Sequence, residues 1–293
     1  MRRPAALIAL CAGLLLAGQS SAAELAQRWV SAGGALSEWV SVLGGESRLV
    51  GVDTTSQHPR SLRALPSVGY QRMLSAEGVL SLRPDLLVGT EEMGPPPVLA
   101  QIRNAGVRVE LFSSKAELDA VDANLERLGD LLGTEEKASE LTADYHQQFE
   151  ALGARLEQAR GSQEAPGVLL LVGHAGAKPL IAGHGTLGDW LVRQAGGRNL
   201  AEHQGYKNFS VEALAALDPD VLVFSDRSLD GEQALQALLK ENPALAASRA
   251  VRDKRLVPLD PTLLVGGLGP RLPAAARELA GAFYPATKGS PAP

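Results

Sequence analysis

The chain has 293 residues, 45% hydrophobic and 21% charged, which supplies apolar material for two ordinary cores and too little charge for a disordered chain. A formal net charge of −5 makes nucleic acid a poor partner. The one cysteine, Cys11, cannot form an intrachain disulfide, and no thiolate cluster can be built from it.

Met1-Arg2-Arg3, the apolar run Ala5 to Ala17 and the small residues Ser20 to Ala23 have the charge, core and exit of a secretory signal peptide, placed at residues 1–22. Its removal takes Arg2 and Arg3 away and moves the net charge from −5 to −7. Leu10 is bulky where a lipoprotein signal wants a small residue, so Cys11 is read as part of the apolar segment. An anchor that stays attached is the alternative. No later apolar run approaches the length that spans a bilayer.

An N-terminal lobe is expected over residues 23–113. Ala23 to Leu43 gives a strand and a helix around Gly33-Gly34, and Arg48 to Val52 gives a second strand. That strand runs into the polar loop Asp53 to Pro59, of the kind that follows a buried parallel strand and lines a crevice. A loop carrying Tyr70, a helix from Ser75, a strand Asp85 to Gly89, a helix opened by Pro95-Pro96-Pro97 and a strand Arg108 to Phe112 complete a β-α rhythm.

Residues 114–160 change character, with leucines at helical spacing among many polar residues. Gly129, Gly133 and Thr134 are expected to break this stretch, and Thr134 to cap the second helix. The segment reads as a stiff connector. A C-terminal lobe over 161–293 then repeats the rhythm: strands Val168 to Val172, Ile181 to Gly183, Val221 to Phe224 and Leu256 to Leu259, a helix Thr186 to Gln194, the Gly-rich loop Gly266 to Pro270 and a last amphipathic helix from Arg271. The predicted fold is α/β, with two similar lobes, mostly parallel sheets and a cleft between them.

The two lobes share an internal repeat. Gly69-Tyr70 leads to Ser75, Glu77, Pro84 and Asp85, and Gly205-Tyr206 leads to Ser210, Glu212, Pro219 and Asp220, each frame running into an apolar strand. This two-lobe plan, the connector and the paired frames resemble the periplasmic substrate-binding proteins of iron-chelate, cobalamin and haem ABC importers. Val68 to Asp85, V-G-Y-Q-R-M-L-S-A-E-G-V-L-S-L-R-P-D, together with Gly266-Gly267-Leu268-Gly269-Pro270-Arg271, is similar to the haem-binding branch.

The resemblance implies roles for particular residues. Tyr70 stands where that branch has the axial oxygen ligand of ferric haem, a ligand type suited to Fe(III). A phenol ionises in water at about pH 10, so the iron itself and Arg72, two residues on, would have to favour the phenolate. Arg227, just beyond the strand Val221 to Phe224, is placed on the opposite wall as a guanidinium for a propionate or for the axial oxygen. By position alone, Tyr206 and Lys207 are further wall candidates, and His174, after the first strand of the second lobe, is either a second haem contact or a hydrogen-bonded loop histidine. Glu77 and Glu212 are implied to dock onto an inner-membrane ABC permease. Alone, each is equally an ordinary first-turn acid beside a serine cap. The expected protein is a periplasmic monomer with haem as its transported ligand. A ferric siderophore or cobalamin is the alternative cargo.

Two other classes fit less well. The histidines His58, His146, His174, His184 and His203 invite a zinc or manganese reading, but no two stand at i, i+4 and none forms a rich loop. A serine hydrolase would show a nucleophile elbow, G-x-S-x-G, and none is present; a phosphate-binding G-x-x-x-x-G-K-S/T is also missing. Gly183 to Gly188 does read as G-x-G-x-x-G, with no acidic residue ending a following strand, so a tight turn into a helix is the better account. A haem-modifying enzyme would need a distal acid-base group that the sequence does not identify.

Overall fold

Strand β1 (Trp29–Ala32), the helix α1 (Gly34–Val42) and strand β2 (Leu49–Val52) open the fold as the apolar spacing requires. The computed structural model describes residues 25–174, 177–208, 216–226 and 243–285, with a few positions between 233 and 240. The signal-like segment, Glu212 and Arg227 lie outside the described residues, and of His174 only the backbone is described.

Helix α2 (Ala76–Ser81), strand β3 (Leu86–Thr90), helix α3 (Pro96–Asn104) and strand β4 (Arg108–Phe112) follow in the first lobe. The sheet order is β2-β1-β3-β4, every pair parallel. Its central strands are buried on both faces, so they read as apolar runs without alternation. Ligand crevices in such sheets open at the carboxyl ends of the strands, where the order reverses. Here those ends are Gly33, Asp53 and the turn from Thr90.

The connector is two helices, α4 (Leu118–Leu132) and α5 (Glu135–Arg160). Gly133 ends α4 in the left-handed conformation, φ 69°, which favours glycine. Two expectations about this junction fail. Gly129 lies inside α4, where α5 crosses so closely that a Cβ would come 2.8 Å from that of Ala138. It is a packing glycine, not a breaker. Thr134 occupies the N-cap position of α5, but its hydroxyl makes no capping bond and is buried without a partner.

The second lobe holds β5 (Gly167–His174), β6 (Ala177–Ala182), helix α6 (Leu187–Gln194), β7 (Arg198–Asn199), β8 (Tyr206–Asn208), β9 (Val221–Asp226), the short helix α7 (Arg249–Arg252), β10 (Leu256–Pro258) and helix α8 (Leu272–Phe283). Its order is β10-β9-β5-β6-β8, with β7 also paired to β5. Strands β9, β10 and β7 run parallel to their neighbours, whereas β6 pairs antiparallel with both β5 and β8. Parallel pairing needs a crossover of a dozen or more residues, and two residues separate β5 from β6. This lobe is therefore more mixed than the sequence rhythm suggests.

The internal repeat has a structural content. Asp85 accepts the backbone N–H groups of Gln27 (2.8 Å) and Arg28 (3.0 Å), fixing the chain that enters β1. Asp220 accepts the N–H of Gly167 (2.7 Å) at the start of β5. Just upstream, Arg83 (φ 49°) and Asp218 (φ 37°) both take the left-handed conformation before their prolines. Each Pro-Asp pair thus turns the chain and uses its carboxylate to hold the parallel neighbour in register.

One continuous apolar core runs through both lobes. It reaches from Trp29 and Trp39 through Leu125 and Leu152 to Trp190 and Phe283. Edge-to-face contacts link Trp39 to Tyr145 (5.6 Å), Tyr145 to Phe149 (5.2 Å) and Phe149 to Trp190 (5.2 Å), from α1 across α5 to α6. Lobes joined by a large apolar interface lose the independent motion expected of ordinary domains.

The Gly-rich loop before α8 closes the seam. Carbonyls of Leu268 and Gly269 accept the Trp39 indole N–H (2.8 Å) and the Tyr145 hydroxyl (3.2 Å). Gly266, at φ 88°, lies against Gly33, where a Cβ would sit 3.4 Å from its backbone. Arg271 then grips the buried Glu38 of α1 with two N–H groups (2.7 and 2.8 Å) while also donating to Asp260 (2.7 Å) and the Thr262 hydroxyl (2.7 Å).

Candidate functional site

Tyr70 is positioned by a buried carboxylate. Asp53, at the carboxyl end of β2, accepts from the Gly33 N–H (3.0 Å), the Thr55 and Ser56 hydroxyls (2.8 Å each) and the N–H of Gln71 (3.3 Å). A buried charge is tolerated only when hydrogen-bonded this fully. The loop is also stitched to the body through backbone bonds from Thr54 to Gly69 (2.9 Å), Gly94 to Gln71 (2.9 Å) and Leu74 to Gly94 (2.8 Å). Gly69 supplies the turn into Tyr70 at φ 90°.

The cleft before this loop has a volume of about 300 Å³ and is lined by Tyr70, Arg72, Val172, Leu180, Tyr206, Pro261, Leu264 and Val265. An adjoining compartment of about 350 Å³ shares Pro261 and Val265 with it and adds Thr54, Thr55, Gln57 and Thr262. The first is an apolar slot with phenol and guanidinium at its walls. The second offers hydroxyl and amide groups. Such a combination, apolar walls with few polar groups, is what binds a mid-sized organic ligand in a fixed orientation.

The two tyrosines of the repeat face this cleft from opposite lobes. Tyr206 presents its ring to it, 39% exposed, while its oxygen is tucked against Gly188 and Thr186 at the N-terminus of α6. Burial of that hydroxyl pushes its pKa above the ordinary 10, although the Gly188 backbone and Thr186 side chain pull the other way. Thr186, whose hydroxyl also accepts the Asp189 N–H (3.1 Å), caps α6 as the G-x-G-x-x-G reading as a turn into a helix requires. The helix end that a phosphate would need is occupied by Tyr206.

Arg72 donates to the Glu92 carboxylate at 2.7 Å. That hydrogen bond is the largest influence on its pKa, which is raised further by the nearby phenols of Tyr70 and Tyr206. The guanidinium thus lies within electrostatic reach of both. Glu92 is a residue that the sequence reading missed, because a lone acid after a strand looks like surface charge. Glu77 is exposed in the first turn of α2, and Ser75 caps that helix by accepting the Gly78 N–H (3.2 Å). Lys207 is exposed beside Tyr206 on β8.

Four histidines have partners of their own. His58 meets Asp260 across the seam (3.2 Å), His146 meets Asp122 between α5 and α4 (2.8 Å), His184 lies 3.7 Å from Asp189, and His203 contacts the Ile181 carbonyl (3.3 Å). Among the described residues no group of three or more His, Cys, Asp or Glu could hold a metal ion, and no helix is long and apolar enough to cross a membrane.

Known proteins share this architecture. A periplasmic haem-binding protein of Pseudomonas aeruginosa is 61% identical, with a TM-score of 0.88, covering 92% of this chain and 96% of its own. A periplasmic haem-binding protein of Vibrio cholerae is 36% identical, with a TM-score of 0.77, covering 88% and 99%. A vitamin B12-binding protein of Yersinia pestis is 25% identical over 215 residues, 72% of this chain and 74% of its own. The model of the periplasmic binding protein family matches residues 30–263, which takes in both lobes, the connector and the cleft between them. The chain belongs to the periplasmic binding protein family.

Proposed function

We propose that this protein captures ferric haem in the periplasm and delivers it to the permease of an ABC importer, without chemical turnover. The observation that carries this reading is the pairing of Tyr70 and Arg72 on one wall of an apolar cleft, with Tyr206 on the other. Tyr70 would supply a hard oxygen ligand to Fe(III). Arg72 would donate to that oxygen, and apolar contacts from Val172, Leu180, Pro261, Leu264 and Val265 would provide most of the binding. The hydroxyl-lined compartment at Thr54 and Thr262 suits the polar edge of the ligand. The 61% and 36% identical relatives named for haem binding support the choice of cargo.

Arg227 and His174 keep the roles given from the sequence, a propionate partner and a second contact. Glu77, exposed on α2, and Glu212 are the groups we assign to permease docking, one on each lobe. The shared core supports lobes that move little between free and loaded forms.

The test is a visible-absorption titration of the mature protein with ferric haem beside Tyr70→Ala. A saturating 1:1 spectrum of high-spin, oxygen-ligated ferric haem is expected, and the mutant should lose it with an affinity drop of at least about 100-fold, beyond what outer-shell changes cost. No saturable spectrum would reject haem and bring siderophores and cobalamin forward. Unchanged binding by the mutant would reject Tyr70 as ligand and make His174 the residue to examine.

A further inference from the structure

Glu92 stands in the turn that leaves β3, and its position relative to Arg72 is set by the backbone. The turn is closed by the Met93 N–H on the Thr90 carbonyl (2.8 Å), and Gly94 is bonded in both directions to the Tyr70 loop, through Gln71 and Leu74. Arg72 Nη2 meets Glu92 Oε2 at 2.7 Å, with side chains 53% and 37% exposed. An ion pair this open contributes little to the fold. Arg72 is the one hydrogen-bond partner of Glu92 among the described residues, while the adjacent Glu91 takes the Ser114 N–H (3.3 Å). Its hydrogen bond therefore falls on the guanidinium that lines the cleft, and its charge also reaches the Tyr206 phenol on the opposite wall.

We infer that Glu92 is a positioning residue that competes with the bound cargo for Arg72 and so keeps haem binding reversible. This rests on the haem reading given above. A guanidinium has a fixed set of N–H donors in a planar fork, and a donor held by Glu92 is withheld from a phenolate or a propionate. The charge of Glu92 also opposes that of an anionic ligand held in the cleft. Tyr70 lies on the same wall and Tyr206 on the other, so a change in the hold of Glu92 on Arg72 reaches the ligand through a residue that touches it. A carrier must release its cargo, and a competing internal carboxylate weakens binding without disturbing the apolar walls.

The experiment compares wild type, Glu92→Gln, Glu92→Asp, Arg72→Gln and the Arg72→Gln/Glu92→Gln double variant in ferric-haem titrations, reading affinity and the phenolate-to-iron charge-transfer band. Glu92→Gln should bind about two- to fivefold tighter, the range an exposed ion pair supports, and should shift the band. Glu92→Asp should return both towards wild type, and the gain should vanish when Arg72 is already Gln. Unchanged or weaker binding by Glu92→Gln overturns the inference, the latter by making Glu92 a strut. A gain that persists undiminished without Arg72 also overturns it. If wild type shows the oxygen-ligated spectrum and Glu92→Gln matches it in every respect, only this inference fails. If wild type shows no such spectrum, the haem reading fails and this inference with it.

Discussion

The two copies of the repeated frame perform the same backbone task and set their tyrosines in different surroundings. In each, a left-handed glycine, Gly69 (φ 90°) or Gly205 (φ 72°), turns the chain into a tyrosine that reaches the shared cleft. In each, a Pro-Asp pair pins the neighbouring strand. The tyrosines differ in what surrounds the oxygen. Tyr206 is the first residue of a strand that lays its hydroxyl on the N-terminus of α6, whereas Tyr70 precedes a short helical turn beside a guanidinium. Duplication thus supplies a matching scaffold, and different neighbours surround the two phenols.

The comparison depends first on the two walls staying opposed, which assigns the largest effect to the seam. Arg271→Ala would leave Glu38, with its side chain 6% exposed, without its charge partner. The expected cost is about 3 kcal/mol, read as a lower midpoint in urea unfolding, and a loss below about 1 kcal/mol would mean that the apolar core alone holds the lobes. Acid should weaken the same clamp. Burial acts to raise the pKa of Asp260, but the Thr262 hydroxyl and N–H and the Arg271 guanidinium outweigh it and hold that pKa below the usual 3.8. A depressed carboxyl pKa contributes stability that is present above the unfolded value and lost as pH falls through the folded one. The contribution should therefore fade below about pH 4, and the acid limb of a stability-pH curve should flatten in Asp260→Asn.

A smaller effect separates the two Pro-Asp anchors. Asp85→Ala removes an acceptor for two backbone N–H groups and Asp220→Ala for one, so about 1 kcal/mol is expected at Asp85, with less from the lost backbone bond at Asp220. Asp220 also pairs with Arg249 at 2.8 Å, which adds a salt-sensitive part to its loss. Thermal melts at two ionic strengths would separate the terms, and equal salt dependence at both sites would remove the distinction.

The smallest effect sharpens the contrast between the phenols. Tyr206→Phe keeps the ring and deletes the anchored oxygen, so haem affinity should fall only about threefold, less than 1 kcal/mol, with the oxygen-ligated spectrum intact. Loss of that spectrum would mean that the second phenol, not the first, reaches the iron.

Much of this molecule was written in local pattern. Apolar runs, Gly and Pro punctuation and the duplicated frame place β2 to β4, α3 and α8 within a residue or two, and the constant offset from Asp85 to Asp220 announces two related lobes. These features depend on residues near one another in the chain, where backbone sterics and burial on one face act directly. Three outcomes needed the third dimension. Gly129 looks like a breaker until α5 is seen to cross it, Glu92 looks like loose surface charge until it is seen on Arg72, and Tyr206 looks like a plain wall residue until its oxygen is found against α6. The sequence by itself determined the strands of the first lobe, the repeat and the two tyrosines. Tertiary structure alone decided what each side chain would meet, because the deciding partners, Ala138 for Gly129, Glu92 for Arg72 and Gly188 for Tyr206, stand 9, 20 and 18 residues away along the chain and become neighbours only when the elements pack.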